Sequence, residues 1–265
     1  MRRFSLVVAV CTLLLVIAGG LVTSNDAAQS VPDWPLSYGK LVPPLEGGIR
    51  FEFAHLALAA AVAVLTLILA LWSRSRLAWM AVAAVVAQAL LGGWVVTLVA
   101  PKWMPVAHAC LAQLCFGLMV AIVVRQYSWP AAGQAGKPAP LAAGALFIQT
   151  VLGAVARHNL AGVIPHIAFA AVAILIVMWA GIQVLLRHME NPPFRRSAML
   201  LLSLTFSQMF LGMGAYISRV MAADDPQPMP MMISFTVAHV AVGSLAFGAA
   251  IAMAIMVGHG GVAVA

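Results

Sequence analysis

"RFEFAHLALAAAVAVLTLILALW", Arg50–Trp72, is apolar over almost its whole length, yet Glu52 and His55 stand three residues apart at its start. A run this long reaches across a hydrocarbon core of ~30 Å. Lipid offers no partner to an open backbone, so the run is read as a membrane helix. Seven more runs of the same kind lie near residues 4–23, 77–99, 105–125, 141–157, 163–186, 197–218 and 231–257. Breaker-rich or charged joints separate them, among them "SRSR", "APKWMP" and "RHMENPPFRR". The chain is only 8% charged, against roughly 25% in a soluble domain. The fold expected is all-α: a polytopic membrane protein of eight helices, in two pseudo-symmetric four-helix bundles.

The net charge of +7 is explained by orientation rather than by nucleic acid. With the N-terminus cytoplasmic, Arg2, Arg3, Arg74, Arg76, Arg125, Lys137, Arg187, Arg195 and Arg196 fall on the inside. Lys40, Arg50, Lys102, Arg157 and Arg219 fall outside with six of the seven acids. That is the positive-inside bias, with both termini cytoplasmic and the chain multi-pass in the inner (plasma) membrane. "MRRFSLVVAVCTLLLVIAGG" also has the charged start and apolar stretch of a signal peptide, but the repeat that follows argues that this helix stays. Cys11, Cys110 and Cys115 read as buried free thiols, and without a CxxCH there is no covalent haem attachment.

Internal similarity organises the rest. "VIAGGLVTS" from Val16, "ALLGGWVVT" from Ala89, "TVLGAVARH" from Thr150 and "MFLGMGAYISR" from Met209 align. Three carry a glutamine four residues before the first glycine: Gln88/Gly92, Gln149/Gly153 and Gln208/Gly212; the first lacks it. Each stretch ends an odd-numbered helix, and each following helix has a histidine near its outer end: His55, His108, His166 and His239. The unit is a helix hairpin repeated four times, its small residues allowing close approach and leaving room for something bulky. The chain divides into an N-terminal half, 1–132, and a C-terminal half, 133–265, within the linker Arg125–Pro140.

An ionisable group inside a membrane is a functional candidate. Four histidines at equivalent places ask for one explanation, and imidazole is an axial haem ligand in helical bundles. The economical pairing is His55 with His108 and His166 with His239, one heme iron per half. Zinc sites usually recruit further Cys, Asp or Glu ligands, and Glu52 is the only acid within the predicted helices. Glu52 shares a helix face with His55, so it either handles protons beside a bound group or pairs with Arg50. Arg157 and Arg219, near the level of His166, either meet heme propionates or anchor at the interface. His158 reads as an interfacial anchor; His188 and His259 read as solvated.

"GGLVTSNDAAQSVPDWPLSYG", Gly19–Gly39, followed by "EFAH", resembles the heme A synthase family, and the likeness runs over about residues 4–257. The resemblance implies eight helices in two four-helix halves and oxidation of a heme O methyl to the formyl of heme A for terminal oxidases. It implies heme b on His166 and His239, substrate heme O on His55 and His108, and Glu52 with His55 in catalysis. Heme O synthase, quinone and a heme-copper oxidase are the partners it implies. Two departures stand out: Leu56 occupies the place of the arginine in the family's Glu-x-x-His-Arg, and residues 24–50 hold no cysteine pair. Two rival readings remain at this stage: a bis-histidine membrane cytochrome b, and a heme carrier or chaperone that leaves the porphyrin unchanged. The Pro-, Trp- and Tyr-bearing outer loop reads as a lid over the first site or as an ordinary interfacial loop.

Overall fold

A computed structural model describes residues 1–97, 100–130, 138–221, 224–225 and 228–258. Eight helices follow in order: α1 (Arg2–Ser24), α2 (Ile49–Ser73), α3 (Arg76–Thr97), α4 (Trp103–Val124), α5 (Pro138–Arg157), α6 (Ile164–His188), α7 (Pro192–Tyr216) and α8 (Pro230–Gly258). A π-helical turn, Ile217–Met221, extends α7. All eight are long and apolar enough to cross a membrane, the shortest, of 20 residues, rising ~30 Å. The chain is a multi-pass all-α membrane protein.

Two helices begin earlier than their hydropathy suggests. α5 starts at Pro138 and α7 at Pro192, because proline is pre-organised for the first turn, where its missing N–H costs nothing. Between α2 and α3 the chain reverses in two residues, with Arg74 left-handed at φ 50 and its amide on the Ala70 carbonyl at 2.9 Å.

The helices pack as two closed rings. α1 touches α2 and α4, and α3 touches both of those; α5, α6, α7 and α8 repeat the arrangement. Each ring has its own core at the end where α1 begins. Val8, Leu69, Ala78 and Met119 sit in one; Val177, Val184, Phe194 and Met253 sit in the other. Large side chains such as Leu71, Trp72, Leu175 and Phe210 point outward, as helices surrounded by lipid allow. The proposed cut after residue 132 lies outside the described residues.

The rings meet through α4 and α8, with α1 against α8 and α4 against α5. Gln113 Nε2 donates to Ser244 Oγ at 2.8 Å in the buried seam. A methyl group added at Gly117 would meet Ile251 and Phe247 at 2.6 and 3.0 Å; one added at Gly248 would meet Phe116 at 2.9 Å. These pairs occupy matching places on the two helices, counted from His108 and His239, so each half offers a glycine to the other's phenylalanine. Replacing Gly248 by Leu should overpack this seam at a cost of about 1–3 kcal/mol. The expected outcome is a lower thermal unfolding midpoint for the purified protein in detergent.

Candidate functional site

The four histidines lie in the first part of the even helices, at the end of the bundle opposite the two cores. The last part of each odd helix brings a glycine against a ring. A methyl group added at Gly19 would lie 3.2 Å from His55 Cε1, at Gly92 2.9 Å from His108 Cε1, at Gly153 3.0 Å from His166 Cε1, and at Gly212 3.0 Å from His239 Cε1. Only a residue without Cβ leaves that space. The rings then face one another across each bundle: His55 and His108 with centroids 6.4 Å apart at 68°, His166 and His239 at 6.1 Å and 85°.

The glutamines four residues before the glycines hold the same hairpins together. Gln88 Nε2 donates to the His108 carbonyl at 2.9 Å, Gln149 to the His166 carbonyl at 3.0 Å and Gln208 to the His239 carbonyl at 3.0 Å. His166 Nδ1 lies 3.1 Å from the Gln149 carbonyl. A carbonyl can only accept, so the proton sits on Nδ1 and the lone pair on Nε2, the form a metal ligand needs. The Gln149 amide faces that lone pair at 3.5 Å. Leu15, Gln88 and Gln208 carbonyls face His55, His108 and His239 in the equivalent way, without closing a hydrogen bond on Nδ1.

This donor set fits a heme. Imidazole centroids about 6 Å apart would leave room for one metal ion between two ring nitrogens, at metal–nitrogen distances of ~2.0 Å. Each pair offers two nitrogens, which suits an iron whose other four ligands come with its porphyrin. Among the described residues no group of three or more His, Cys, Asp or Glu comes together as a metal cage.

Glu52, in the first turn of α2, is only 3% exposed. Its Oε2 accepts the Val31 amide at 3.1 Å, while Oε1 has no partner. The Arg50 guanidinium lies instead over the Phe51 ring, 4.8 Å from its centroid. The other three histidines have Val163, Pro105 and Thr236 in the corresponding place. The loop that reaches Glu52 is folded on itself: the Asp33 carboxylate accepts the Tyr38 and Gly39 amides at 2.6 and 2.7 Å, and Tyr38 Oη donates to the Ser30 carbonyl at 2.9 Å. Its Trp34 indole covers Gly93, where a methyl group would lie 2.8 Å from Cδ2, next to the glycine that receives His108.

Residues 2–56, ending just past Glu52 and His55, match the COX15-CtaA family of cytochrome oxidase assembly proteins. A heme A synthase of Methylobacterium sp. (strain 4-46) is 31% identical over 143 residues, covering 46% of this chain and 40% of that protein. A heme A synthase of Symbiobacterium thermophilum is 44% identical over 68 residues, 26% of this chain and 22% of its own length. One from Shouchella clausii is 28% identical over 135 residues, 46% and 44%. Over these stretches the chain is similar in sequence to heme A synthases. The chain spans less than half the length of each of these curated relatives.

Residues just before the loop also finish α1. Thr23 Oγ1 donates back to the Gly19 carbonyl at 3.0 Å, and Asn25 Nδ2 donates at 2.8 Å to the Leu21 carbonyl, which also accepts the Asn25 backbone amide. Arg157 of α5 crosses to donate to the Thr23 carbonyl at 2.6 Å, and Arg219 donates to the Arg157 carbonyl at 3.4 Å, with Asp26 as the acid facing both. The two arginines thus tie the C-terminal ends of α1, α5 and α7. His158 lies beside them. His188, expected in solvent, is half-buried against Phe194, 5.0 Å between ring centroids; His259 lies outside the described residues. Cys11, Cys110 and Cys115 are free thiols.

Burial, then the neighbouring Arg157 and Arg219, pull the His158 imidazole down to about 4. Between its ordinary value near 6.5 and 4, the unfolded chain binds a proton that the folded chain refuses. Stability should therefore fall as the pH drops through that window. Thermal unfolding in detergent at several pH values should show the decline, and His158→Gln should flatten it.

Proposed function

We propose that this chain is a heme A synthase, oxidising a methyl group of heme O to the formyl group of heme A for terminal oxidases. The observation that carries the reading is Glu52, a buried carboxylate one turn from His55, without a counterpart beside the other three histidines. His55 and His108 hold heme O as substrate; His166 and His239 hold a heme b that stays with the protein. When bound, that heme b supplies a one-electron redox centre. Arg157 and Arg219 offer propionates the guanidinium N–H groups that their bonds to the Thr23 and Arg157 carbonyls leave over.

The net change at the substrate is CH3 + H2O → CHO + 4 H+ + 4 e−. It runs through two hydroxylations at one carbon, each with oxygen from water and release of two electrons, and loss of water from the gem-diol, with two quinones taking two electrons and two protons each. Glu52 is suited to the proton traffic: the Val31 amide fixes Oε2, leaving Oε1 to accept or return a proton at the reacting carbon. The loop that supplies Val31 also lays Trp34 on Gly93, and so keeps bulk water from that end of the site. In this reading the chain lies in the inner (plasma) membrane with both termini cytoplasmic, between a heme O synthase and a heme-copper oxidase.

A membrane cytochrome b would need both histidine pairs but not Glu52, and a heme carrier would return its heme unaltered. Expression in a host that makes heme O but lacks its own heme A synthase, followed by chromatography and mass analysis of extracted hemes, separates the three. The expected product is heme A or its hydroxylated precursor; Glu52→Gln should keep both hemes and yield heme O alone. Folded wild-type protein with intact electron supply that yields only heme b and heme O would sink the proposal.

The glycine cradles give a second outcome. Gly153→Ala should push the His166 ring aside and weaken heme binding by about 1–3 kcal/mol. Gly144→Ala, with nothing within 4 Å of the added methyl, should leave the haemochrome absorbance of the purified protein unchanged.

A further inference from the structure

The glutamine bonds divide the four histidines unequally. Gln88, Gln149 and Gln208 each reach across their hairpin to a histidine's own backbone carbonyl. A helical carbonyl has a second lone pair to give, so the odd helix is pinned to the even one at the level of the ring. In the first hairpin that place, four residues before Gly19, belongs to Leu15, which has no donor to offer. Packing differs in the same direction. A methyl group at the other three glycines would lie 2.9–3.0 Å from the ring, with Nε2 at 3.8 Å; at Gly19 the distance is 3.2 Å and Nε2 is beyond 4 Å. His55 is both the unpinned histidine and the most loosely cradled one.

We propose that Gln88, Gln149 and Gln208 are positioning residues that lock His108, His166 and His239, and that Leu15 leaves His55 as the axial ligand that yields. The inference rests on the two histidine pairs being heme sites, and it assigns them different lifetimes. A heme held by two imidazoles leaves by losing one of them first. A ring whose own carbonyl is held by a glutamine stays in register and rebinds; a ring without that bond has room to swing away. The second site, with both ligands pinned, keeps its heme. The first site, with His108 pinned and His55 free to yield, takes in one heme and gives up another. Turnover needs that asymmetry, because a substrate site must empty and a resident site must not. Leu15 touches no reacting atom in this scheme: its contribution is the absence of a hydrogen bond.

The test uses the full-length protein in detergent, loaded with ferric heme b at both pairs and mixed with excess apomyoglobin as heme acceptor. Transfer is followed by absorbance. Wild-type protein should lose heme in two phases of equal amplitude, the fast one missing in His55→Ala and the slow one missing in His239→Ala. Leu15→Gln should slow the fast phase by roughly threefold to tenfold, the range expected of one interhelical hydrogen bond in a membrane, and leave the slow phase alone. Gln149→Leu should speed the slow phase by a similar factor. The low-spin ferric electron-spin-resonance signal of the first site should sharpen in Leu15→Gln, which a merely destabilising substitution would not do. Gln149→Leu and Gln208→Leu test the idea from the other side if Leu15→Gln does not fold. A single release phase, a fast phase belonging to His239, or rates unmoved by all three substitutions would overturn the proposal. Protein that takes up no bis-imidazole heme at either pair would instead overturn the heme-site reading beneath it.

Discussion

The contact between a glycine and an imidazole edge sets the rest of this structure. It occurs four times, once per hairpin, at 2.9–3.2 Å from where a Cβ would stand. Because the odd helix carries no side chain there, its backbone comes close enough for the Cε1 edge of the ring to rest against it. Two such rings, brought in from two hairpins, end about 6 Å apart. Any side chain at the glycine would move the ring and widen or twist the gap. The polar groups around it, the glutamine amides and the backbone carbonyls facing Nδ1, are placed by the same close approach.

The packing of the molecule is polarised along its length. Both apolar cores lie at the end where α1 begins, and the histidines lie at the other. Close packing of alanine, valine, leucine and methionine therefore orders the helices at one end, so that the far ends can stand apart around a ligand without losing their register. At that far end the fastening is polar and local: the arginines across α1, α5 and α7, and a loop folded around the Asp33 carboxylate. Glu52 belongs to this second system, held by Val31 from a segment with no regular structure.

What could be read in the sequence was whatever repeats with the helix. Eight apolar runs gave eight helices, and the spacing of glycine, glutamine and histidine marked four equivalent hairpins, because residues four apart share a face. The pairing of the rings followed. What could not be read was carried by backbone atoms and irregular segments. The acceptors of Gln88, Gln149 and Gln208 are histidine carbonyls, which leave no trace in residue identity, so the glutamines showed only as a pattern. The bond from Val31 to Glu52 joins residues 21 positions apart, across the loop and into α2, and the seat of Trp34 on Gly93 joins that loop to a helix far along the chain; neither has a period to betray it. Arg157 was visible as a charge at a helix end, but its hold on the Thr23 carbonyl crosses between α5 and α1, which meet only through α4 and α8.

The α4–α8 seam has a consequence for stoichiometry. Each half meets the other with matching residues, a glycine under a phenylalanine from either side, so two copies of one half would present nearly the same surface to each other. Joining both halves in one polypeptide holds the unlike partner at millimolar effective concentration, and the bond from Gln113 to Ser244 is made between two different residues. Every molecule is therefore assembled with one half that carries the buried carboxylate and one that does not, in a fixed ratio that free association of like halves could not guarantee.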